Sequence, residues 1–286
     1  MKKILVTGAN GQLGQCLQKI SSQFEEFEFI FTDSETLDIT IKEEVNDFFW
    51  QNAPDFCINA AAYTAVDLAE TDIEKAFLVN ADGTENLAEA CAENNAQFIH
   101  VSTDYVFDGE NNLAYTEEDF TNPLGVYGAS KLAGDELALE VNPCSVILRT
   151  SWVYSEFGKN FVKTMLNLFA TKEELSIVAD QFGQPTNAND LAEAIMKIIK
   201  SEKITPGIFN FSNLGRISWF DFAEKIAELS EAKIKLNAIE TSQYPTPAKR
   251  PKNSVLDLDK ISKTYAIQLK PWEESIEDCI QILQNN

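Results

Sequence analysis

Short apolar runs alternate with amphipathic segments through the first half of the chain. The runs are apolar at consecutive positions, which is typical of parallel strands buried on both faces. The segments between them repeat apolar residues at helical spacing, as Leu13, Leu17 and Ile20 do. This alternation predicts a Rossmann-type α/β fold, a doubly wound parallel sheet with helices on both faces. The five runs are KKILVTG, FEFIFTD, DFCINAAA, QFIHVST and CSVILRT.

After about residue 151 the alternation loosens. Amphipathic helices are interrupted there by the strand-like run GIFNFSN and by a proline-rich loop, SQYPTPAKRPKNS. Two helix starts carry capping signals, namely Thr40 with Glu43 three residues later, and Ser218. We therefore expect a smaller, interleaved α/β domain in the second half.

A glycine-rich turn, TGANGQLG, joins the first predicted strand to the first helix. It contains Gly8, Gly11, Gln12, Leu13 and Gly14. Glycines at this spacing allow a tight turn, approach of the backbone to a pyrophosphate and close helix–strand packing. The helix N-terminus favours the negative charge of phosphates. We predict that these five residues bind NADPH or NADH.

The glycine turn gives the two halves different expected roles. Residues 1–150 are predicted to form a dinucleotide-binding domain that also receives part of 187–215, and residues 151–286 mainly a substrate-binding domain. Ligands of open α/β sheets bind at the carboxyl ends of the strands. Residues that directly follow each strand are therefore the candidates for the site.

Two aspartates near the end of the second strand are candidates for the adenosine end of the cofactor. Asp33 lies 19 residues after Gly14 and can accept hydrogen bonds from ribose hydroxyls. Its charge would repel a 2′-phosphate, which favours NADH over NADPH without deciding between them. Asp38 is a similar candidate near the adenine. Aspartates that only complete a turn are the alternative.

Small and polar residues follow the next two strands. NAAAYTAVD brings Ala61, Ala62 and Tyr63 to a strand end, where small side chains let a cofactor lie against the backbone. HVSTDYVFDG brings Thr103 and Asp104 to the following strand end, within reach of a substrate oxygen. The alternatives are an alanine-rich packing patch and ordinary turn chemistry.

A tyrosine and a lysine lie four positions apart in VYGASKLAGDE. Tyr127 and Lys131 therefore share one face of a predicted helix. The loop between Thr103 and this helix is long enough to cross a cleft, so both segments could line one site. Taken alone, the pair favours an ordinary helix face over a proton donor and its activator, because a tyrosine and a lysine at this spacing occur by chance in many helices.

Charge and composition exclude several classes of protein. The net charge of −22 over 286 residues argues against a nucleic-acid partner. Five scattered cysteines without a C-x-x-C pair predict core thiols in a reducing compartment. His100, the only histidine, is expected in the core, and no residue spacing indicates a metal site. No apolar run approaches the length of a membrane span or a signal peptide, so we expect a cytoplasmic protein without a membrane partner.

The glycine turn, a hydroxyl residue after the fourth strand and Y-x-x-x-K, in that order, resemble the extended short-chain dehydrogenase/reductases. Longer motifs narrow the resemblance to the dTDP-4-dehydrorhamnose reductase family, from about residue 3 to about residue 275. STDYVFDG and RPKNSVLD are specific to it, whereas the glycine turn and Y-x-x-x-K are shared across the superfamily. The other motifs are NAAAYTAVDLAE, YGASKLAGDE, LRTSWVY, GKNFVKTM and DQFGQPT.

The resemblance implies reduction of the C4 ketone of dTDP-4-dehydro-L-rhamnose to dTDP-L-rhamnose, the last step of dTDP-rhamnose biosynthesis. It implies that Tyr127 donates the proton, and that Lys131 lowers the pKa of the tyrosine and holds the nicotinamide ribose. Thr103 would hydrogen-bond the ketone oxygen. Asp104 would accept a hydrogen bond from a sugar hydroxyl, and Trp152 would pack against the sugar.

The sequence also offers a candidate contact for the substrate diphosphate and allows the family's magnesium site to be examined. Arg250, in the basic cluster AKRPK, is a candidate contact for the pyrophosphate, with a surface salt bridge as the alternative. Some family members dimerise through magnesium held by glutamates, and the aligned positions here are Cys16, beside Gln15, and Asn189. Because cysteine is a poor magnesium ligand, we expect no metal, and a monomer or weak homodimer.

Other functions fit part of the sequence. A regulatory subunit of the methionine adenosyltransferase type shares the fold, but a binding module has no need of Tyr127, Lys131 and Thr103 together. A nucleotide-sugar epimerase or dehydratase is the next alternative, although a dehydratase generally needs a second acid after Asp104. A hydrolase has little support, because one histidine is a poor candidate base and no G-x-S-x-G turn occurs.

Overall fold

A computed structural model describes residues 1–285 of the chain. Six parallel strands form the main sheet in the order β2-β1-β3-β4-β5-β10. The strands are β1 (Lys2–Thr7), β2 (Phe27–Phe31), β3 (Phe56–Asn59), β4 (Gln97–Thr103), β5 (Val146–Thr150), β6 (Val153–Tyr154), β7 (Glu174–Val178), β8 (Phe182–Gly183), β9 (Thr186–Asn187), β10 (Gly207–Asn210), β11 (Ile217–Ser218) and β12 (Lys235–Ile239). The helices are α1 (Gln12–Ser21), α2 (Lys42–Asn52), α3 (Val66–Ala69), α4 (Ile73–Phe77), α5 (Gly83–Glu93), α6 (Val126–Val141), α7 (Phe161–Phe169), α8 (Ala188–Ile199), α9 (Trp219–Leu229), α10 (Asp259–Tyr265) and α11 (Trp272–Asn285).

The main sheet confirms the predicted doubly wound α/β fold. In register, Val6 of β1 pairs with Phe31 of β2 on one side and with Ile58 of β3 on the other. Because β1 lies in the interior of the sheet, its side chains are buried on both faces: Ile4 and Val6 in the core against α1 and α8, and Leu5 in the core against α2 and α5. The strand order reverses at β1, so a crevice opens at the carboxyl ends of β1 and β3.

The second half of the chain adds three two-stranded pairings, β6 with β9, β7 with β12, and β8 with β11. A separate apolar core, which includes Phe222, Trp272 and Ile276, lies among α7, α9 and α11. Between these pairings the chain returns to the main sheet, where β10 pairs with β5 and α8 packs against α1. No helix within residues 1–285 is long and apolar enough to cross a membrane.

Several local predictions are settled by the structure. Ser218 caps α9 in a reciprocal capping box, as predicted. The prediction of Thr40 as the cap of α2 is wrong: its hydroxyl donates to Asp38 Oδ1 at 2.7 Å, and the helix begins only after Ile41. Four cysteines are buried as expected, but Cys144 is exposed in the turn before β5.

Candidate active site

The glycine turn has no room for side chains. Gly8 has a φ of +67°, and a Cβ atom there would lie 2.6 Å from the carbonyl oxygen of Ala60 at the end of β3. A Cβ atom on Gly14 would lie 2.4 Å from the carbonyl oxygen of Gly8. No side chain caps α1, whose first residue follows Gly11 directly. The turn thus presents free backbone N–H groups at the crevice, as a pyrophosphate requires.

Gln12 and Leu13 can contribute to such a site only through their backbones. The Leu13 side chain is buried in the core beneath α1. The Gln12 amide oxygen accepts from Asn160 Nδ2 at 2.8 Å and Ser155 Oγ at 3.2 Å, and its amide nitrogen donates to the carbonyl of Val153 at 3.3 Å. Gln12 therefore ties the glycine turn to the segment that follows β5.

The two aspartates after β2 differ in their surroundings. Asp33 accepts a hydrogen bond from Asn10 Nδ2 at 2.7 Å, which places its carboxylate beside the glycine turn. Hydrogen bonds from Thr36 lower the pKa of Asp33, so it is ionised at neutral pH. Asp38 accepts from both the backbone and the hydroxyl of Thr40. Its role in the structure is to close the turn before α2.

The segment after β3 is fixed by an asparagine that the motifs did not single out. Asn80, in a π-helical turn between α4 and α5, accepts from the N–H of Tyr63 at 2.8 Å and donates to its carbonyl at 3.1 Å. Its amide also donates to Ser130 on α6 at 2.9 Å. Asn80 thus joins the strand end that carries Ala61, Ala62 and Tyr63 to the helix that carries Tyr127. A lone asparagine inside the apolar run FLVNA was the signal for it.

Tyr127 lies in the first turn of α6, at the end of β4. The close packing of Gly128 on the Tyr105 carbonyl, where a Cβ would approach to 2.2 Å, holds this turn against the strand end. Burial raises the pKa of Tyr127 to about 12, while the nearby Thr103 hydroxyl acts in the opposite direction. The structure therefore brings Thr103 and Tyr127 together, with the tyrosine protonated at neutral pH.

The Lys131 side chain contacts β4. Its Nζ atom donates to the carbonyl of Val101 at 2.8 Å and lies 3.0 Å from His100 Nε2. Burial lowers the pKa of Lys131 to about 8, and the Asp135 carboxylate opposes this effect. The Nζ atom thus contacts β4 in the structure, and the expectation that Lys131 lowers the pKa of Tyr127 stays a prediction.

Asp104 is buried next to Thr103, whose hydroxyl donates to Asp104 Oδ1 at 3.0 Å. Burial raises the pKa of Asp104 to about 7, against the effect of the nearby Ser254 and Thr103 hydroxyls. Within residues 1–285, the Oδ2 atom has no hydrogen-bond partner. A buried acceptor without a donor is costly, so this atom suits a donor supplied by a ligand.

Trp152 follows β5 with a φ of +47°, which is strained for a bulky residue. Its ring stacks on Trp219 at the start of α9, with centroids 3.5 Å apart and planes at 9°. Gly183 also lies against the indole, which a Cβ there would approach to 2.5 Å. The partly exposed Trp152 ring is thus held between two elements of the second half. Trp219 was not predicted, because its role depends on a contact distant in sequence.

Arg250 forms a two-pronged ion pair with Asp67. Its Nη1 and Nη2 atoms each lie 2.7 Å from one carboxylate oxygen. Nη1 also donates to the carbonyl of Ala248 at 2.8 Å. The structure therefore contains the salt bridge that was the alternative to a pyrophosphate contact. This ion pair links the loop after β12 to α3.

The residues at the aligned magnesium positions do not fit a magnesium site. Burial raises the pKa of the Cys16 thiol to about 12, and Gln15 donates to a backbone carbonyl. The Asn189 amide donates to Glu156, whose carboxylate also forms an ion pair with Lys19 Nζ at 2.6 Å. In the part of the chain that the structure describes, no three His, Cys, Asp or Glu side chains are grouped to hold a metal ion.

Comparison with known proteins places the chain in one family. The family model for the RmlD substrate binding domain matches residues 1–285. A dTDP-4-dehydrorhamnose reductase of Aggregatibacter actinomycetemcomitans is 44% identical over 288 residues, covering 97% of this chain and 98% of the relative. The crystal structure of a dTDP-4-dehydrorhamnose reductase from Clostridium acetobutylicum has a TM-score of 0.94 at 43% identity, with 99% of both chains covered. That of dTDP-4-dehydrorhamnose reductase from Bacillus anthracis in complex with NADP has a TM-score of 0.94 at 38% identity, covering 98% of this chain and 99% of the other. These similarities confirm the resemblance read from the motifs, and the chain belongs to the dTDP-4-dehydrorhamnose reductase family.

Proposed function

We propose that this protein uses NADPH or NADH to reduce the C4 ketone of dTDP-4-dehydro-L-rhamnose to dTDP-L-rhamnose, the last step of dTDP-rhamnose biosynthesis. The observation that carries the proposal is the position of Tyr127, in the first turn of α6, next to the Thr103 hydroxyl at the carboxyl end of β4. Two hydroxyl groups meet there beside a glycine turn that fits a dinucleotide. This arrangement suits a carbonyl oxygen that gains charge and then a proton.

The cofactor supplies the hydride when it is bound. Gly8, Gly11 and Gly14 leave space for its pyrophosphate against the free N–H groups of α1. The ionised Asp33 carboxylate, next to the glycine turn, accepts from the adenosine ribose and repels a 2′-phosphate. We therefore expect NADH to be preferred over NADPH.

Side chains of the protein donate the proton and bind the sugar. Tyr127, protonated at neutral pH, gives its proton to the C4 oxygen. The Thr103 hydroxyl transfers its hydrogen bond from Asp104 Oδ1 to the same oxygen when the substrate binds. The unpaired Oδ2 atom of Asp104 accepts from a sugar hydroxyl. The Trp152 ring, fixed by Trp219, packs against the sugar.

Binding of the diphosphate at Arg250 does not require release of Asp67. The Asp67 carboxylate and the Ala248 carbonyl take three of the five N–H donors, which leaves Nε–H and one hydrogen of Nη2 for a phosphate. An Arg250→Ala variant should raise the KM for the nucleotide sugar with little change in kcat. An unchanged KM would leave Arg250 with its structural ion pair only.

The experiment that tests the activity follows the absorbance of the reduced nicotinamide with purified protein and dTDP-4-dehydro-L-rhamnose. Tyr127→Phe should abolish oxidation of the cofactor. Tyr105→Phe is the matched control, since it removes the same atom from a ring whose centroid is 5.8 Å away. Failure of the unaltered protein to oxidise either cofactor would refute the proposed function.

Three coarser properties complete the proposal. Residues 1–150, with part of 187–215, form the dinucleotide-binding domain, and residues 151–286 mainly the substrate-binding domain. The protein acts in the cytoplasm on a small molecule, without nucleic acid or membrane. It is a monomer or weak homodimer, which light scattering at several protein concentrations measures directly.

A further inference from the structure

His100 lies beneath the active site and has no part in the reaction as proposed above. It is the only histidine of the chain and is fully buried in β4. Its Nδ1 atom lies 3.0 Å from Asn59 Nδ2, and its Nε2 atom lies 3.0 Å from Lys131 Nζ. The imidazole therefore joins β3 to the lysine of the Y-x-x-x-K pair.

The hydrogen bonds of Asn59 determine which ring nitrogen carries the proton. Asn59 Oδ1 accepts from the backbone N–H of Ala61 at 3.2 Å and from the Thr7 hydroxyl at 2.7 Å. The Ala61 N–H, which can only donate, lies closer to Asn59 Oδ1 than to the Thr7 hydroxyl oxygen at 3.4 Å, so the amide oxygen faces Ala61 and the amide NH₂ faces His100. An NH₂ group is only a donor. Nδ1 of His100 is therefore the acceptor, and the neutral ring carries its hydrogen on Nε2.

That hydrogen points at Lys131. An ammonium group has three donors and no acceptor, so it cannot receive a hydrogen bond from Nε2–H. A neutral amine has a lone pair for Nε2–H and can still donate to the Val101 carbonyl at 2.8 Å. The geometry of this contact is that of an amine.

Of the neighbouring charges, only the Asp135 carboxylate favours an ammonium in this position, and it is shared with an arginine. Asp135, one turn further along α6, is paired with Arg149 of β5, whose Nε lies 3.2 Å from Oδ2. Its other oxygen lies 3.8 Å from His100 Nε2, beyond a hydrogen bond. Tyr127, on the same helix, is neutral. Burial lowers the pKa of Lys131 and keeps that of His100 well below its ordinary value, in agreement with the geometry.

We propose that His100 is a positioning residue that holds Lys131 only while the lysine is neutral. When Nζ takes a proton from water, it loses the Nε2–H bond and places a positive charge on the face of α6 that carries Tyr127, one turn earlier. His100 thereby sets the pH above which the active site lacks its positive charge. It does not relay protons, because the Asn59 amide behind it has none to deliver. The catalytic consequence rests on the proposed reductase function; the tautomer and the contact do not.

The contact is tested without substrate by ¹⁵N NMR of histidine-labelled protein between pH 6 and 10. One histidine gives one pair of ring nitrogen signals, so no assignment is needed. We expect the Nε2–H tautomer throughout, with a change in the Nε2 signal near pH 8 that is absent in Lys131→Met. A hydrogen on Nδ1, or the same titration in Lys131→Met, would overturn the proposal.

The catalytic consequence is tested by the pH profile of kcat/KM. In Asn59→Asp, the carboxylate accepts from Nδ1–H, which turns Nε2 into an acceptor for the ammonium. The alkaline limb should then move up by about one pH unit or more, and the NMR tautomer should switch to Nδ1–H. His100→Gln, whose carbonyl can accept from the ammonium, should move the limb in the same direction. A lower kcat with an unchanged alkaline limb of the pH profile in both variants would show that His100 serves only in packing. Absence of activity in the unaltered protein would instead refute the reductase function alone.

Discussion

Replacing Lys131 with Met should stabilise the protein at pH 7 while abolishing reduction. The lysine is 1% exposed, and burial lowers its pKa from 10.5 to about 8. Each unit of difference between the folded and unfolded pKa is worth about 1.4 kcal/mol. The buried lysine therefore lowers the free energy of unfolding at pH 7 by about 3 kcal/mol. Met keeps the length of the side chain without its charge. Loss of the hydrogen bond to the Val101 carbonyl destabilises the variant by about 1 kcal/mol. The net increase in the free energy of unfolding is therefore about 2 kcal/mol.

The gain should depend on pH in a defined direction. The folded-state pKa of Lys131 lies below that of free lysine, so between pH 8 and 10.5 the unfolded chain holds a proton that the folded chain has released. The unaltered protein therefore becomes more stable with rising pH across that window, relative to the Met variant. At pH 9.5 the cost of the buried lysine falls to about 1.4 kcal/mol, and the advantage of Met almost disappears.

Urea unfolding followed by tryptophan fluorescence at pH 7 and pH 9.5 measures both quantities. The matched control is Lys172→Met, which makes the same chemical change at an exposed position and should alter the free energy of unfolding by less than about 0.5 kcal/mol at either pH. An equal effect of Lys131→Met at the two pH values would refute the reasoning, because the stability change would then not come from the charge.

Three further substitutions test residues that are expected to shape the cofactor and sugar sites. Gly14→Ala should weaken cofactor binding about 100-fold or more in a fluorescence titration, because its Cβ would lie 2.4 Å from the Gly8 carbonyl oxygen; unchanged affinity would mean that the turn can relax. Gly183→Ala should raise the KM for the nucleotide sugar about tenfold by displacing the Trp152 ring, which its Cβ would meet at 2.5 Å, and a normal KM would remove Trp152 from the sugar site. Asp33→Ser should raise the ratio of kcat/KM for NADPH over NADH about tenfold; a ratio that stays constant would show that the carboxylate does not face the 2′ position.

Features that depend on neighbours in sequence could be predicted from the sequence. The apolar runs identified the strands of the main sheet, because a strand buried on both faces must be apolar at consecutive positions. The spacing of Gly8, Gly11 and Gly14 indicated a dinucleotide turn, because the steric demand of a strand–turn–helix junction is local. Ser218 could be recognised as a cap for the same reason, since its partner lies three residues away.

Features that depend on burial and on contacts between distant segments were decided only by the tertiary structure. Thr40 failed as a cap because its hydroxyl had a closer partner in Asp38. Arg250 is paired with Asp67, 183 positions away in the sequence. The direction of Lys131 depends on His100 and on a carbonyl of β4, and its low pKa arises from the exclusion of water by the whole fold. Local sequence determined which residues stand at the strand ends, whereas tertiary packing determined their charge and their partners, because desolvation and pairing are properties of the assembled interior.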